Sequence, residues 1–268
     1  MSINITNVIK TSNKTYIIGV NAQYALATNG QYLLTNENDK VCLYDKDNLG
    51  TVTTLTWING NIMDMCWCST LNAYLLITHS KAYVLNMIDN KLNKIESINR
   101  SNNTINYIYR CVCTEKTFFV TYYKYGTPID EYDLTSSSFS LIKQWKTPET
   151  CKEDDIILDI LYNSHTNRLG ILIGAQQSCR LDIRNLTMIA IWSVDLFQIK
   201  SNFYCRLSLL PANEWLIIDP QSSSFFQITA DGKLNAHVRD KREPRNATMF
   251  GSNLFAIITN DGLSVHDV

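Results

Sequence analysis

Two cysteine pairs, Cys66-x-Cys68 and Cys111-x-Cys113, are the densest concentration of nucleophilic and metal-ligating side chains in the sequence. Four thiolates in a tetrahedron would hold zinc, and adjacent thiols could support redox chemistry. Residues i and i+2 of a strand share a face, so each pair is coherent. If the pairs occupy equivalent strands of consecutive repeats, rotation carries both to the same side. They are then expected not to face each other and to serve as small buried hydrophobes. His79, His165, His237 and His266 are scattered, and neither His-Glu-x-x-His nor Gly-x-Ser-x-Gly occurs. A zinc hydrolase or a nucleophile elbow is therefore not signalled. Asp64 and Asp159 could offer oxygens to a calcium ion, but two carboxylates fall short of six to eight ligands. A buried polar network or loop cap is their expected role. No catalytic residue, metal or cofactor is assigned.

Recognition chemistry is better represented than catalysis. The segments 146–155 and 239–246 are the longest connections; the first is net acidic and the second net basic. A third, 122–126, is the tyrosine-rich run Tyr122-Tyr123-Lys124-Tyr125-Gly126. Surface loops on a rigid scaffold commonly carry binding residues, and Tyr and Arg are favoured anchors. The binding residues expected on this basis are Tyr123, Lys124, Tyr125, Lys152, Glu153, Asp154, Arg239, Lys241, Arg242 and Arg245. All three loops should emerge on one face of the fold. Val265-His266-Asp267-Val268 has the form of a C-terminal PDZ ligand, but pairing within a sheet would occupy it.

The elements that must position these loops repeat along the chain. A polar turn followed by a β-forming run recurs at Asn29, Asn72, Lys116, Asn167, Asn213 and Asn253, with spacings of 43, 44, 51, 46 and 40 residues. That is the blade period of a β-propeller. A half-apolar run precedes each turn, and a third run ends in a polar residue, as in Tyr44-Asp45 and Tyr132-Asp133. A fourth run follows, such as 53–57 or 139–145. Short runs rich in Val, Ile, Tyr, Phe and Thr, separated by Asn, Asp, Ser and Gly, are hairpin-connected strands rather than helices. The expected fold is all-β: one six-bladed propeller of four-stranded antiparallel blades. The expected blades are 22–61, 62–104, 105–155, 156–202, 203–246, and 247–268 together with 1–21. The last unit shows three strands, and the start of the chain carries two strand-like pieces, 5–10 and 15–20. An N-terminal strand, 15–20 by preference, is expected to complete the final blade, because an open ring exposes sheet edges. A fragment of a seven-bladed ring is the rival reading.

The 268 residues are 45% hydrophobic, with a formal net charge of −1, which suits a globular protein with a large core. Near-neutrality removes a general drive toward nucleic acid or anionic membranes. The first residues lack a signal-peptide pattern and no run approaches a membrane span, so a cytoplasmic location and eight reduced cysteines are expected. Six Asn-x-Ser/Thr sequons do not alter this, since composition alone yields about four.

The pairs Tyr44-Asp45, Tyr132-Asp133 and His266-Asp267 resemble degraded forms of the Trp-Asp dipeptide that ends the third strand of WD40 repeats. The Gly-His element of those repeats is missing, as are the paired glycines of kelch repeats. The chain is similar to a divergent WD40- or NHL-like propeller, which implies a binding platform and supplies no known site. The function expected is a non-catalytic scaffold presenting loops to another protein. Two alternatives stay open. An NHL-like RNA-binding propeller would need Arg110, Arg206, Lys124 and the 239–245 cluster on one positive face. A lactonase-like enzyme would need a metal in the channel.

Overall fold

The computed structural model describes residues 3–10, 22–99, 106–135, 138–175, 178–199 and 204–268. Its strands form six antiparallel sheets in chain order. Blade 1 holds β1 (Ala22–Thr28), β2 (Tyr32–Glu37), β3 (Lys40–Asp45) and β4 (Thr51–Thr56). Blade 2 holds β5 (Ile62–Cys68), β6 (Ala73–Thr78), β7 (Lys81–Asn86) and β8 (Leu92–Asn99). Blade 3 follows with β9 (Ile108–Cys113), β10 (Thr117–Tyr122), β11 (Ile129–Asp133) and β12 (Leu141–Trp145). Blade 4 consists of β13 (Ile156–Asn163), β14 (Arg168–Gly174), β15 (Cys179–Arg184) and β16 (Ala190–Leu196). In blade 5 are β17 (Arg206–Leu210), β18 (Glu214–Asp219), β19 (Ser224–Ile228) and β20 (Leu234–Arg239). The sixth sheet contains β21 (Pro244–Phe250), β22 (Leu254–Thr259) and β23 (Gly262–Asp267) among the described residues.

Burial explains why the runs have different textures. Second strands are covered on both faces by neighbouring blades, so β6 (AYLLIT) and β18 (EWLIID) are buried at every position. The outer strand β4 (TVTTLT) is open on its rim and alternates between exposed and half-buried residues. The third strands of blades 1 to 3 end in a short polar side chain that caps the following turn. Asp45 accepts from the Asp47 amide at 2.9 Å, Asn86 from Ile88 at 2.8 Å and Asp133 from Thr135 at 2.8 Å. The recurring aromatic-Asp pair is thus a core residue followed by a turn-forming one.

The apolar core is divided into six clusters, one at each junction between blades. Tyr74 and Leu76 pack against blade 1, while Leu75 and Ile77 pack against Phe118 and Val120 of blade 3. The sixth junction joins Leu33 and Tyr44 of the first sheet to Phe250, Ile258 and Val265 of the last. Inner strands β1, β5, β9, β13, β17 and β21 each pack beside the next, and β21 returns to β1. The six sheets therefore close a ring around a channel.

One sequence expectation fails. Residues Ile5–Lys10 form a helix, α1, not a strand. Asn4 caps it, its Oδ1 accepting from the Thr6 amide at 3.0 Å. Ile5 and Val8, one turn apart, are buried against Leu210, Phe225, Val238 and Ala247 at the junction of blades 5 and 6. The proposed closing strand at 15–20 lies outside the described residues. No helix among the described residues is long and apolar enough to cross a membrane.

Candidate interaction face and channel

Inner strands begin on the face that also carries the β10–β11 turn and the β12–β13 connection. Two of the three predicted loops meet there. The Gly126 amide donates to the Asp155 carbonyl at 2.8 Å, and Thr150 Oγ1 donates to the Thr127 carbonyl at 2.7 Å. Gly126 adopts φ +58°, and a Cβ there would sit 3.4 Å from the Glu153 carbonyl oxygen. The left-handed backbone, more than the space around it, is what favours glycine here. The contact leaves Lys124, Tyr125, Lys152, Glu153 and Asp154 exposed and Tyr123 half-buried.

Tyr123 belongs to a cluster that sequence reasoning did not assemble. Its ring stacks on Tyr107 at 4.8 Å with an interplanar angle of 6°, and meets Tyr109 edge-on at 5.4 Å. His79, from the β6–β7 turn of blade 2, meets Tyr107 edge-on at 4.6 Å. Tyr204, leading into blade 5, lies close enough to influence both Tyr107 and Tyr123. Burial, reinforced by the neighbouring phenols, pushes the Tyr107 hydroxyl up to about 12. Tyr125 and Tyr204 expose 62% and 59% of their surface, so the cluster ends in two accessible rings. Tyr107-x-Tyr109 at the start of an inner strand was the available signal: i, i+2 spacing puts both rings on one side.

The third loop is placed differently. It connects blades 5 and 6, whereas the other two lie where blade 3 meets blade 4. Arg239 and Lys241 are exposed. Arg242 forms a two-pronged pair with buried Asp240, with contacts of 3.0 and 2.7 Å. Arg245 Nε donates to Asn260 Oδ1 at 2.8 Å. These two arginines hold the loop's own shape.

Below the tyrosines, four charged side chains alternate around the channel: Asp64, Arg110, Asp159 and Arg206 from blades 2 to 5. All are at least nine-tenths buried. Asp64 accepts from the Cys111 amide at 3.0 Å, and Asp159 from the Leu207 amide at 2.7 Å, so each carboxylate ties its blade to the next. Arg206 reaches across the ring to a short ion pair with Asp64 and lies 3.8 Å from Asp159. Arg110 stacks on the Tyr109 ring at 3.8 Å and donates to the Leu158 carbonyl at 3.0 Å. Burial raises the Asp159 carboxyl above its usual range, opposed by the two guanidinium groups. This is the buried polar network expected of the aspartates. Arg110 and Arg206 are internal, so they do not join an exposed basic face.

The channel itself holds a cavity of about 530 Å³, running from Asp64, Asp159 and Arg206 to Ser69, Glu115 and Ser164 after the inner strands. Cys66 lines it. Here the structure reverses a second expectation, because the cysteine pairs do face each other. Cys66 Sγ lies 3.4 Å from Cys113 Sγ and 3.9 Å from Cys111 Sγ. The reason is parity. In β5 the cysteines point toward blade 3 while Met65 packs toward blade 1; in β9 the cysteines point back to blade 2 while Val112 packs toward blade 4. The cysteines of β5 and β9 sit one residue apart in strand-equivalent position, Met65 matching Cys111, so the two pairs take opposite faces of their strands. The sulfurs form a zigzag, and among the described residues no group of three or more His, Cys, Asp or Glu converges to hold a metal ion.

Comparison with known proteins yields fold likeness only. No protein-family profile and no curated protein matches the sequence. Among solved structures, the β-propeller domain of Cps50 (Swd1) from Myceliophteria thermophila superposes with a TM-score of 0.63 at 14% identity, covering 95% of this chain and 100% of that one. A chain of the mitotic checkpoint complex gives 0.67 at 8% identity, covering 96% and 91%. A protein of unknown function from Bacteroides caccae gives 0.61 at 11% identity, covering 85% and 82%. The chain is a β-propeller in fold.

Proposed function

We propose that this propeller is a non-catalytic scaffold that captures another protein on the face bearing the tyrosine cluster. The observation that carries this reading is the aromatic cluster of His79, Tyr107, Tyr109 and Tyr123 in ring contact, with exposed Tyr125 and Tyr204 beside it. Its inner rings are fixed by stacking and by the bonded loops 122–126 and 146–155. A partner would therefore meet rigid apolar anchors, with little ordering cost on this side. Lys124, Lys152, Glu153 and Asp154 would form the charged rim that sets orientation. Arg239 and Lys241 would extend the contact for a partner broad enough to reach blade 5. That a structurally similar propeller occurs in the mitotic checkpoint complex supports this use of the fold.

The test is affinity enrichment from the native source with wild-type protein and the Tyr125→Ala/Tyr204→Ala double variant. Both rings are more than half exposed, so the variant should keep its thermal transition. Partners recovered by the wild type and lost by the variant are the expected result. Equal recovery by both would refute this face. Retention of RNA at low salt, without a protein partner, would favour the nucleic-acid alternative instead.

A further inference from the structure

We propose that Cys66 and Cys113 are a reversible oxidation site, closing a disulfide between blades 2 and 3 when a peroxide enters the channel. The inference is independent of the partner-binding face. It begins from the 3.4 Å separation of the two sulfurs, which belong to adjacent inner strands and approach without an intervening side chain. Neither is tied to a helix or a mobile tip: β5 and β9 are packed side by side within one core cluster. Pairing thus needs the two sulfurs to close from 3.4 Å to bonding distance.

Access singles out one end of the pair. Cys66, Cys111 and Cys113 all line the 530 Å³ cavity, and of the three only Cys66 is half-buried rather than buried. By its greater exposure, Cys66 is the thiol that a small oxidant in the channel reaches most readily. Its thiolate attacks a peroxide oxygen, the O–O bond breaks, and hydroxide leaves to take up the thiol proton as water. The product is the Cys66 sulfenic acid. The Cys113 sulfur then attacks the Cys66 sulfur, the S–O bond breaks, and the hydroxyl leaves with the Cys113 proton as a second water. Overall, two thiols and one hydrogen peroxide give one disulfide and two waters. A thiol reductant reverses it by exchange.

The surroundings set the rate and the resolving partner. Burial holds the Cys66, Cys111 and Cys113 thiols well above their usual range, so the resting site is protonated and slow, unlike a peroxidase cysteine. Cys68 is lowered, chiefly because Cys113 donates a hydrogen bond to it. Cys111, at 3.9 Å from Cys66 against 3.4 Å for Cys113, is the more distant, competing resolver.

The experiment uses the whole reduced protein, treated with hydrogen peroxide, alkylated, digested and mapped by mass spectrometry. A 66–113 linked peptide that disappears after dithiothreitol is expected, with the apparent Tm of the oxidised form raised by about 5 °C or more because the link closes a long loop. Cys113→Ser should leave the sulfenic acid at position 66, trappable with dimedone, while Cys111→Ser should leave the link unchanged. Because the wild-type map needs no variant, poor folding of either variant leaves the proposal testable. Persistence of all eight thiols, a dominant 66–111 link, or direct passage of Cys66 to sulfinic acid would each overturn it.

Discussion

His266 shows how one side chain carries a pH dependence into the fold. Its ring is 1% exposed, with Nε2 2.9 Å from Ser264 Oγ in β23. Burial, aided by the Arg242 charge, lowers its pKa below the usual 6.5. The unfolded chain therefore takes up a proton near pH 6.5 that the folded chain refuses until lower pH. Stability should be level above about pH 7.5 and fall as pH drops through 6.5 toward the depressed folded value. Urea titrations at pH 7.5 and 5.5 should show the loss, and His266→Asn should flatten that part of the profile. An unaltered profile in the variant would place the effect elsewhere. Gly170 illustrates packing at the same scale: a Cβ there would come within 2.4 Å of the Trp215 ring. The aspartates were readable as network residues because two carboxylates on inner strands need partners wherever they are buried. The partners themselves were not readable, since Arg206 and Asp64 are 142 positions apart.

Elements were legible in proportion to how much their own residues decide. Strand runs repeat with the expected polar turns, and the Asn, Asp and Thr caps act within two to four residues of themselves. The segment 5–10 was misread because ITNVIK is short and fits either period; docking chose the helix. Ile5 and Val8 complete the apolar junction between blades 5 and 6, and Gln227 Nε2 donates to the Ile3 carbonyl at 2.8 Å. Replacing both Ile5 and Val8 with alanine should cost about 2–4 kcal/mol, read as a lower urea midpoint at unchanged slope. A midpoint equal to wild type would show that α1 adds nothing to the core.

At the scale of the whole molecule, the ring makes every junction depend on its neighbours. The last sheet touches blade 5 through Phe255 and Ile257 and blade 1 through Ala256 and Ile258. Ending the chain at residue 250 removes β22 and β23 and uncovers both junctions at once. The truncated protein should lose its single cooperative transition and bind a hydrophobic dye, as calorimetry and fluorescence would show. Retention of one sharp transition would mean that the first five sheets hold together without closure.

Period, strand count and turn chemistry were set by the amino-acid order alone, because strand pairing and capping act over a few neighbouring residues. Which side each inner strand turns, how the four cysteines meet, and how five tyrosines from separate segments gather at the channel mouth were decided by assembly. A one-residue offset in where the cysteines fall on their strands puts the two pairs on facing sides, and the radial arrangement of sheets brings together residues more than a hundred positions apart. Neither quantity is encoded in any local run, so these contacts arise only when the ring closes.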